Sequence, residues 1–272
     1  MMSKLQIYYT DIFYYLNILG KFGIQGVLAC KRLPNAIIIA CAKLGYNLKN
    51  KYLYLRMKDT ENPVCLRYQS SDAKVLIQIF IEGEYACLDQ LTNPNLIVDC
   101  GANVGYSSIY FLNKFPHAHI IAVEPDDENF EVCQKNLLPY SERVSLIPSG
   151  VWSHSVGLIV CKGIYGDGRS WATQVKECPE HQKADLQAID ITTILKNSGF
   201  DSIDILKIDV ERSEIAIFSQ NYEYWLDKTK NIAIELHDEE CENVFFNAMS
   251  AYEYELVKSG ELTFCLGITK KA

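Results

Sequence analysis

The chain reads as an α/β protein. It predicts one doubly wound, mostly parallel sheet with an antiparallel C-terminal hairpin, preceded by a helical and β-rich cap. Three observations predict this. From Asn95 onward, short apolar runs alternate with helical stretches, which is how βα units read. The first run, Leu96-Ile-Val-Asp-Cys100, carries an acid near its end and opens into the two-glycine turn Gly101-Ala-Asn-Val-Gly105. The next run, Ile120-Ile-Ala-Val-Glu-Pro125, also closes on an acid.

Along the chain, residues 1–90 form the expected cap and 91–272 the expected core domain, with an insertion at about 151–190. Residues 4–45 space their apolar positions helically, at Ile7, Tyr8, Ile12, Tyr15, Leu16 and Leu19. Tyr52–Leu55 and Val64–Arg67 read as short strands around a turn at Glu61-Asn-Pro63, and Asp72 reads as the cap of a helix through Phe80. With no low-complexity linker between them, cap and core are expected to pack together. In the core, strands are expected at 96–100, 119–124, 143–148, 204–209 and 231–236, and helices at 104–114, 127–137, 212–226 and 239–250. Asp126 and Asp127 after Pro125 suit a helix start. Tyr254–Val257 and Leu262–Leu266, joined by Lys258-Ser-Gly-Glu261, read as a hairpin. Gly157, Gly163, Gly166 and Gly168 punctuate the insertion, where Arg169, Ser170 and Trp171 suit a recognition surface.

Composition narrows the function classes. The net charge is −8, so a nonspecific nucleic-acid binder, which needs a basic face, is not expected. The ten cysteines include no Cys-x-x-Cys pair and mostly lie in apolar runs. They read as buried thiols rather than a zinc site or disulfide framework. No secretory leader pattern is visible, so a reducing cytoplasm is expected. The apolar stretch within residues 5–30 is interrupted by Asn17, Lys21, Gln25 and glycines. A packed amphipathic helix is expected there rather than a span, with membrane-surface association the lesser alternative. The tyrosine-rich N-terminus also offers a surface for a homo-oligomer.

The turn decides the cofactor. A dinucleotide fingerprint places glycine where the backbone meets a pyrophosphate, and here that position is Asn103. The turn therefore suits a ligand without a diphosphate. S-adenosylmethionine, with its sulfonium, zwitterionic end and ribose diol, fits. Glu124 is placed to accept both ribose hydroxyls, and Asp99 to hold the ammonium end directly or through water.

Open parallel sheets bind ligands at the carboxyl ends of their strands. Asp209 and Glu211 sit there two residues apart, as do Glu235 and His237 one strand later. Either Asp209 or His237 is a candidate general base. Alternatively Asp209, Glu211 and Glu235 are candidate ligands for Mg²⁺ or another divalent cation holding an acceptor hydroxyl. A purely structural pairing of Glu211 with Arg212 or Lys207 is the competing reading. Lys207 is given no role.

Four segments resemble the FkbM family of methyltransferases. They are Asp99-Cys-Gly-Ala-Asn-Val-Gly105, Val123-Glu-Pro125, Ile205-Leu-Lys-Ile-Asp-Val-Glu211 and Ile232-Ala-Ile-Glu-Leu-His237, in order within about Ser71 to Leu236. Ser71–Phe80 with Glu84-Tyr85 is similar to the lead-in such proteins carry. The resemblance implies the class I, Rossmann-like methyltransferase fold and S-adenosylmethionine-dependent methyl transfer, mostly to oxygen. It implies cofactor contacts from Asp99, Gly101, Ala102, Asn103, Gly105, Tyr106, Ser107, Glu124, Pro125 and Asp209, with Gly150, Val151 and Trp152 near the adenine. The acceptor it implies is a small molecule or glycan. One departure is plain: where the family usually carries glycine after Lys-Ile-Asp-Val-Glu, this chain has Arg212. An NAD-linked oxidoreductase and a non-catalytic binding protein on the same fold are the alternatives.

Overall fold

The computed structural model describes residues 52–67, 70–161 and 174–272. The expected helices of residues 4–45, the membrane-surface segment 5–30 and the Arg169–Trp171 positions lie outside these. The chain divides into two compact units, Met1–Gly83 and Glu84–Ala272.

In the first unit, β1 (Tyr52–Leu55) pairs antiparallel with β2 (Val64–Arg67), and α1 spans Asp72–Phe80. The helix falls where its apolar spacing puts it, but Asp72 does not cap it. Ser71 occupies the cap position, and the Asp72 carboxylate instead takes Arg67 at 2.7 Å and the Arg67 backbone N–H at 2.8 Å. A buried carboxylate facing a guanidinium gains more from that fork than from a helix end.

The second unit holds a seven-stranded sheet. Its strands are β3 (Leu96–Cys100), β4 (His119–Val123), β5 (Val144–Ile147), β10 (Ile205–Ile208), β11 (Ile232–Glu235), β12 (Tyr252–Ser259) and β13 (Leu262–Lys270), in the order β12-β13-β11-β10-β3-β4-β5. The pairings between β5, β4, β3, β10 and β11 are all parallel, and β13 runs antiparallel to both its neighbours. The expected parallel sheet and C-terminal hairpin are both present, the hairpin strands being longer than their apolar runs. β3 and β10 are buried along their whole length, as strands covered on both faces must be.

Helices α2 (Tyr106–Lys114), α3 (Asp127–Leu137) and α7 (Glu239–Met249) fall where expected. Asp126 caps α3, accepting from the N–H groups of Glu128 and Asn129 at 2.9 and 3.0 Å. The helix expected at 212–226 is two short ones, α5 (Glu214–Ser219) and α6 (Glu223–Leu226). Arg212 and Asn221 carry left-handed φ of 78° and 61°, which a helix cannot continue through.

Within the insertion, β6 (Gly150–Val151), β7 (Gly157–Cys161), β8 (Gln174–Glu177) and β9 (Leu186–Ile189) form a second sheet in the order β6-β9-β7-β8. It leads into α4 (Ile191–Ser198), a helix absent from the expected set, although Asp190 caps it at Thr193 and Gly199 ends it at φ 77°. All eight described cysteines are free thiols. Among the described residues, no helix is long and apolar enough to cross a membrane.

Candidate active site

The turn after β3 is held from several sides. Gly101 and Ala102 donate their N–H groups to the carbonyl of Val123, both at 2.9 Å, tying the turn to β4. Gly101 has φ 78°, and a Cβ there would stand 1.8 Å from the carbonyl oxygen of Asp209. Only glycine fits where the turn runs against the loop after β10. Gly105, at φ 86°, starts α2 and lies against Cys133 and Leu137. Asn103, in the place of a fingerprint glycine, is itself left-handed at φ 52°. Asparagine is among the few side chains that tolerate that region.

Glu124 closes the other side. Its Oε2 accepts the Asn103 N–H at 2.8 Å and its Oε1 the Asp126 N–H at 2.9 Å. Burial raises its carboxyl to about 7 against those hydrogen bonds. Pro125 is half-buried beside it.

Asp99 sits beneath the turn rather than in the open. It is fully buried, and its Oδ2 accepts the hydroxyls of Ser107 and Ser108 at 2.6 and 2.7 Å. Its Oδ1 makes no well-directed hydrogen bond and instead faces the Lys207 ammonium at 3.2 Å. Tyr106 and Ser107 are likewise buried. Gly150 and Val151 are buried in β6, paired with Ala188 and Ile189. Trp152 follows, its indole N–H donating to Glu177 at 2.8 Å.

The spacing of the sequence left Lys207 unassigned, yet it joins the two halves of the site. Its Nζ donates to the Gly101 carbonyl at 2.6 Å and lies 3.6 Å from Asp209 Oδ2. Burial opposes its charge, but Asp99 and Asp209 outweigh that and hold it protonated, well above its ordinary range.

Beyond the turn, carboxylates gather round His237. Its Nε2 lies 3.8 Å from Asp209, 3.5 Å from Glu211 and 3.7 Å from Glu235. Its Nδ1 lies 3.4 Å from Glu214, an ion-pair contact without good hydrogen-bond direction. The two i, i+2 pairs do converge, because β10 and β11 are neighbours. Strand geometry does not continue to Glu211, whose φ is 50°; the turn itself swings that carboxylate in. Glu214, buried in the first turn of α5, also accepts the Val210 N–H at 3.1 Å. Its sequence position gives no sign of this, because an acid in a first helical turn reads as a dipole partner.

The charges are unequal. Burial pushes Glu211 up to about 7, with Asp209 adding to the rise and His237 opposing it. Burial pushes Glu235 up to about 8, with Asp209 again adding. Burial alone would lower His237, but Glu214, Asp209 and Glu235 raise it to about 10. At neutral pH the ring is an imidazolium and has no lone pair with which to take a proton. The ion-pair partner of Glu211 is His237 rather than Arg212 or Lys207; Arg212 reaches Asp238 at 3.0 Å and Glu240 at 2.9 Å.

For a divalent cation, the three donors that come within 4.8 Å of one another are Asp209, Glu211 and His237, rather than Asp209, Glu211 and Glu235. A cation bound there would have to displace the His237 proton that the surrounding carboxylates favour.

Residues 99–256, more than half of the chain, match the methyltransferase FkbM domain. Among curated proteins, methyltransferase sdnD of Sordaria araneosa is 25% identical over 193 residues, 58% of this chain and 72% of that protein. Methyltransferase 1 of Beauveria bassiana is 26% identical over 188 residues, 59% of this chain and 72% of that one. AMB antimetabolite synthetase AmbE of Pseudomonas aeruginosa is 24% identical over 196 residues, 59% of this chain but only 9% of AmbE. Among solved structures, methyltransferase FkbM from Methylobacillus flagellatus aligns with a TM-score of 0.46 at 16% identity, over 67% of this chain and 46% of that chain. The matched segment contains the glycine turn, Glu124 and the carboxylates around His237, and by that match the chain belongs to the methyltransferase FkbM domain family.

Proposed function

We propose that the protein transfers the methyl group of S-adenosylmethionine to a hydroxyl of a small-molecule or glycan acceptor, with Asp209 receiving the hydroxyl proton. The observation that carries this reading is the contact between Gly101 and the Asp209 carbonyl. The glycine turn and the acidic loop pack directly against each other.

S-adenosylmethionine, when bound, supplies a methyl group already activated by a sulfonium. The rest is positioning and proton management. The left-handed backbone at Gly101, Asn103 and Gly105 shapes the turn, and Glu124 is fixed by two backbone N–H groups with acceptor capacity left for a ribose diol. Asp209, with its side chain 34% exposed, is the most accessible carboxylate of the cluster. As the oxygen gains the methyl group, its proton passes to this carboxylate. The charged His237 holds Asp209, Glu211 and Glu235 in one place, so it acts as an orienting cation and the base role falls to Asp209. Membership of a methyltransferase family weighs against the NAD-linked alternative.

The test is to supply S-adenosylmethionine with a panel of sugars and hydroxylated natural products. S-adenosylhomocysteine release and the site of the new methyl group are then measured. An O-methyl product, with Asp209→Asn slowing release about 10²–10⁴-fold without abolishing cofactor binding, supports the reading. Methylation at nitrogen or carbon, or full activity in Asp209→Asn, contradicts it.

A further inference from the structure

We infer that Arg212 is a positioning residue: by gripping Asp238 and Glu240 it holds the turn after β10 in the conformation that keeps Glu211 beside His237. The inference rests on reading the carboxylate cluster as the acceptor site.

Five described residues other than glycine have left-handed φ, and three of them are asparagines, which tolerate it. The other two are consecutive, Glu211 at 50° and Arg212 at 78°. A long side chain in that region costs free energy, and two in a row persist only when their surroundings hold them there. Within the loop, the Val210 N–H donates to the buried Glu214 carboxylate at 3.1 Å. The Ser213 N–H reaches the Val210 carbonyl at 3.2 Å and the Ile215 N–H reaches the Arg212 carbonyl at 3.4 Å.

The guanidinium adds a tie to the neighbouring loop. Its Nη1 lies 3.0 Å from Asp238 Oδ2 and its Nη2 donates to Glu240 Oε2 at 2.9 Å. Asp238 caps α7 and Glu240 lies in that helix's first turn, so one side chain fastens the loop after β10 to the loop after β11. These are the loops that carry Asp209, Glu211 and His237. At this position glycine would adopt the same φ without strain but would bring no tie, so the arginine exchanges an easy turn for a latched one.

Three variants separate the two effects. Asp238→Asn with Glu240→Gln removes the charges while retaining an N-cap residue. Arg212→Gly removes both strain and latch, and the triple variant combines them. Backbone hydrogen exchange is followed at Val210 and Ser213, with β3 amides and the thermal midpoint as references. Since exposed ion pairs are individually weak, charge removal is expected to speed exchange in 209–213 about fivefold. The β3 amides should not change. Raising the ionic strength should do the same to the unmodified protein. In the Arg212→Gly background neither treatment should have an effect, because a relaxed turn needs no latch. Unchanged exchange after charge removal overturns the inference, as does an equal acceleration in the Arg212→Gly background. Cofactor calorimetry on the unmodified protein tests the methyltransferase reading separately, because none of these exchange measurements involves ligand.

Discussion

Lys207 Nζ lies 3.2 Å from Asp99 Oδ1, and both side chains are almost wholly cut off from water, at 3% and 0% exposure. The pair stands directly under the cofactor turn, and the same ammonium reaches the Gly101 carbonyl and Asp209. Removing one member of such a pair leaves an uncompensated buried charge. Lys207→Met is expected to cost about 3–5 kcal/mol in urea denaturation. Lys207→Met combined with Asp99→Asn should recover part of that loss. A single-variant loss below about 1 kcal/mol would show that the pair does not support the turn.

Gly101→Ala tests the contact between turn and acidic loop. The added methyl would meet the Asp209 carbonyl at 1.8 Å with φ at 78°, so backbone must move. Thermal denaturation should show a loss of about 3 kcal/mol or more, or failure to fold. An unchanged melting temperature would mean that the two loops are not in contact.

The proposed role of Glu124 as ribose acceptor predicts a pH dependence of cofactor binding. Its carboxyl sits at about 7, so it becomes an ionised acceptor as pH rises through neutrality. S-adenosylmethionine affinity should rise about tenfold between pH 6 and 8, since a charged acceptor makes the stronger hydrogen bond. Calorimetry on Glu124→Gln should show a weaker and flat profile. A slope that survives that substitution belongs to another group.

His237 sets a stability profile of definite sign. Its folded value near 10 lies above its ordinary 6.5, so the folded state binds this proton more tightly. The stability it contributes is complete below about pH 6.5 and disappears as pH rises through 10. The melting-temperature gap between the unmodified protein and His237→Gln should be widest near pH 6 and close above pH 10. A gap independent of pH would mean that the ring has the same pKa folded and unfolded, so that the surrounding carboxylates do not hold its proton.

How far the sequence carries can be seen in particular residues. The unit β3–turn–α2 was legible because an acid and two glycines mark both its ends. Helix α3 was legible to its boundaries because Pro125 and Asp126 announce its start. The break in 212–226 was not, since no propensity makes Arg212 left-handed; a tertiary tie to Asp238 and Glu240 accompanies it. Helix α4 was overlooked although Asp190, Thr193 and Gly199 are ordinary start and stop signals, because the glycine-rich insertion before it masked the return of the pattern. Lys207 was invisible for a different reason. In a strand buried on both faces, alternation does not tell a core position from a site position. The carboxylate pairs were legible by spacing, but their charges were not. The raised pKa of His237 comes partly from Glu214, a neighbour that only the fold supplies.

The most direct test is titration calorimetry of the unmodified protein with S-adenosylmethionine and, separately, with NAD. The account predicts one S-adenosylmethionine site that Glu124→Ala weakens by about 10–100-fold, as losing a charged acceptor should, and no heat from NAD. It also predicts that a chelator leaves the binding unchanged. No S-adenosylmethionine binding at about millimolar concentration, or saturable binding of NAD, would contradict it.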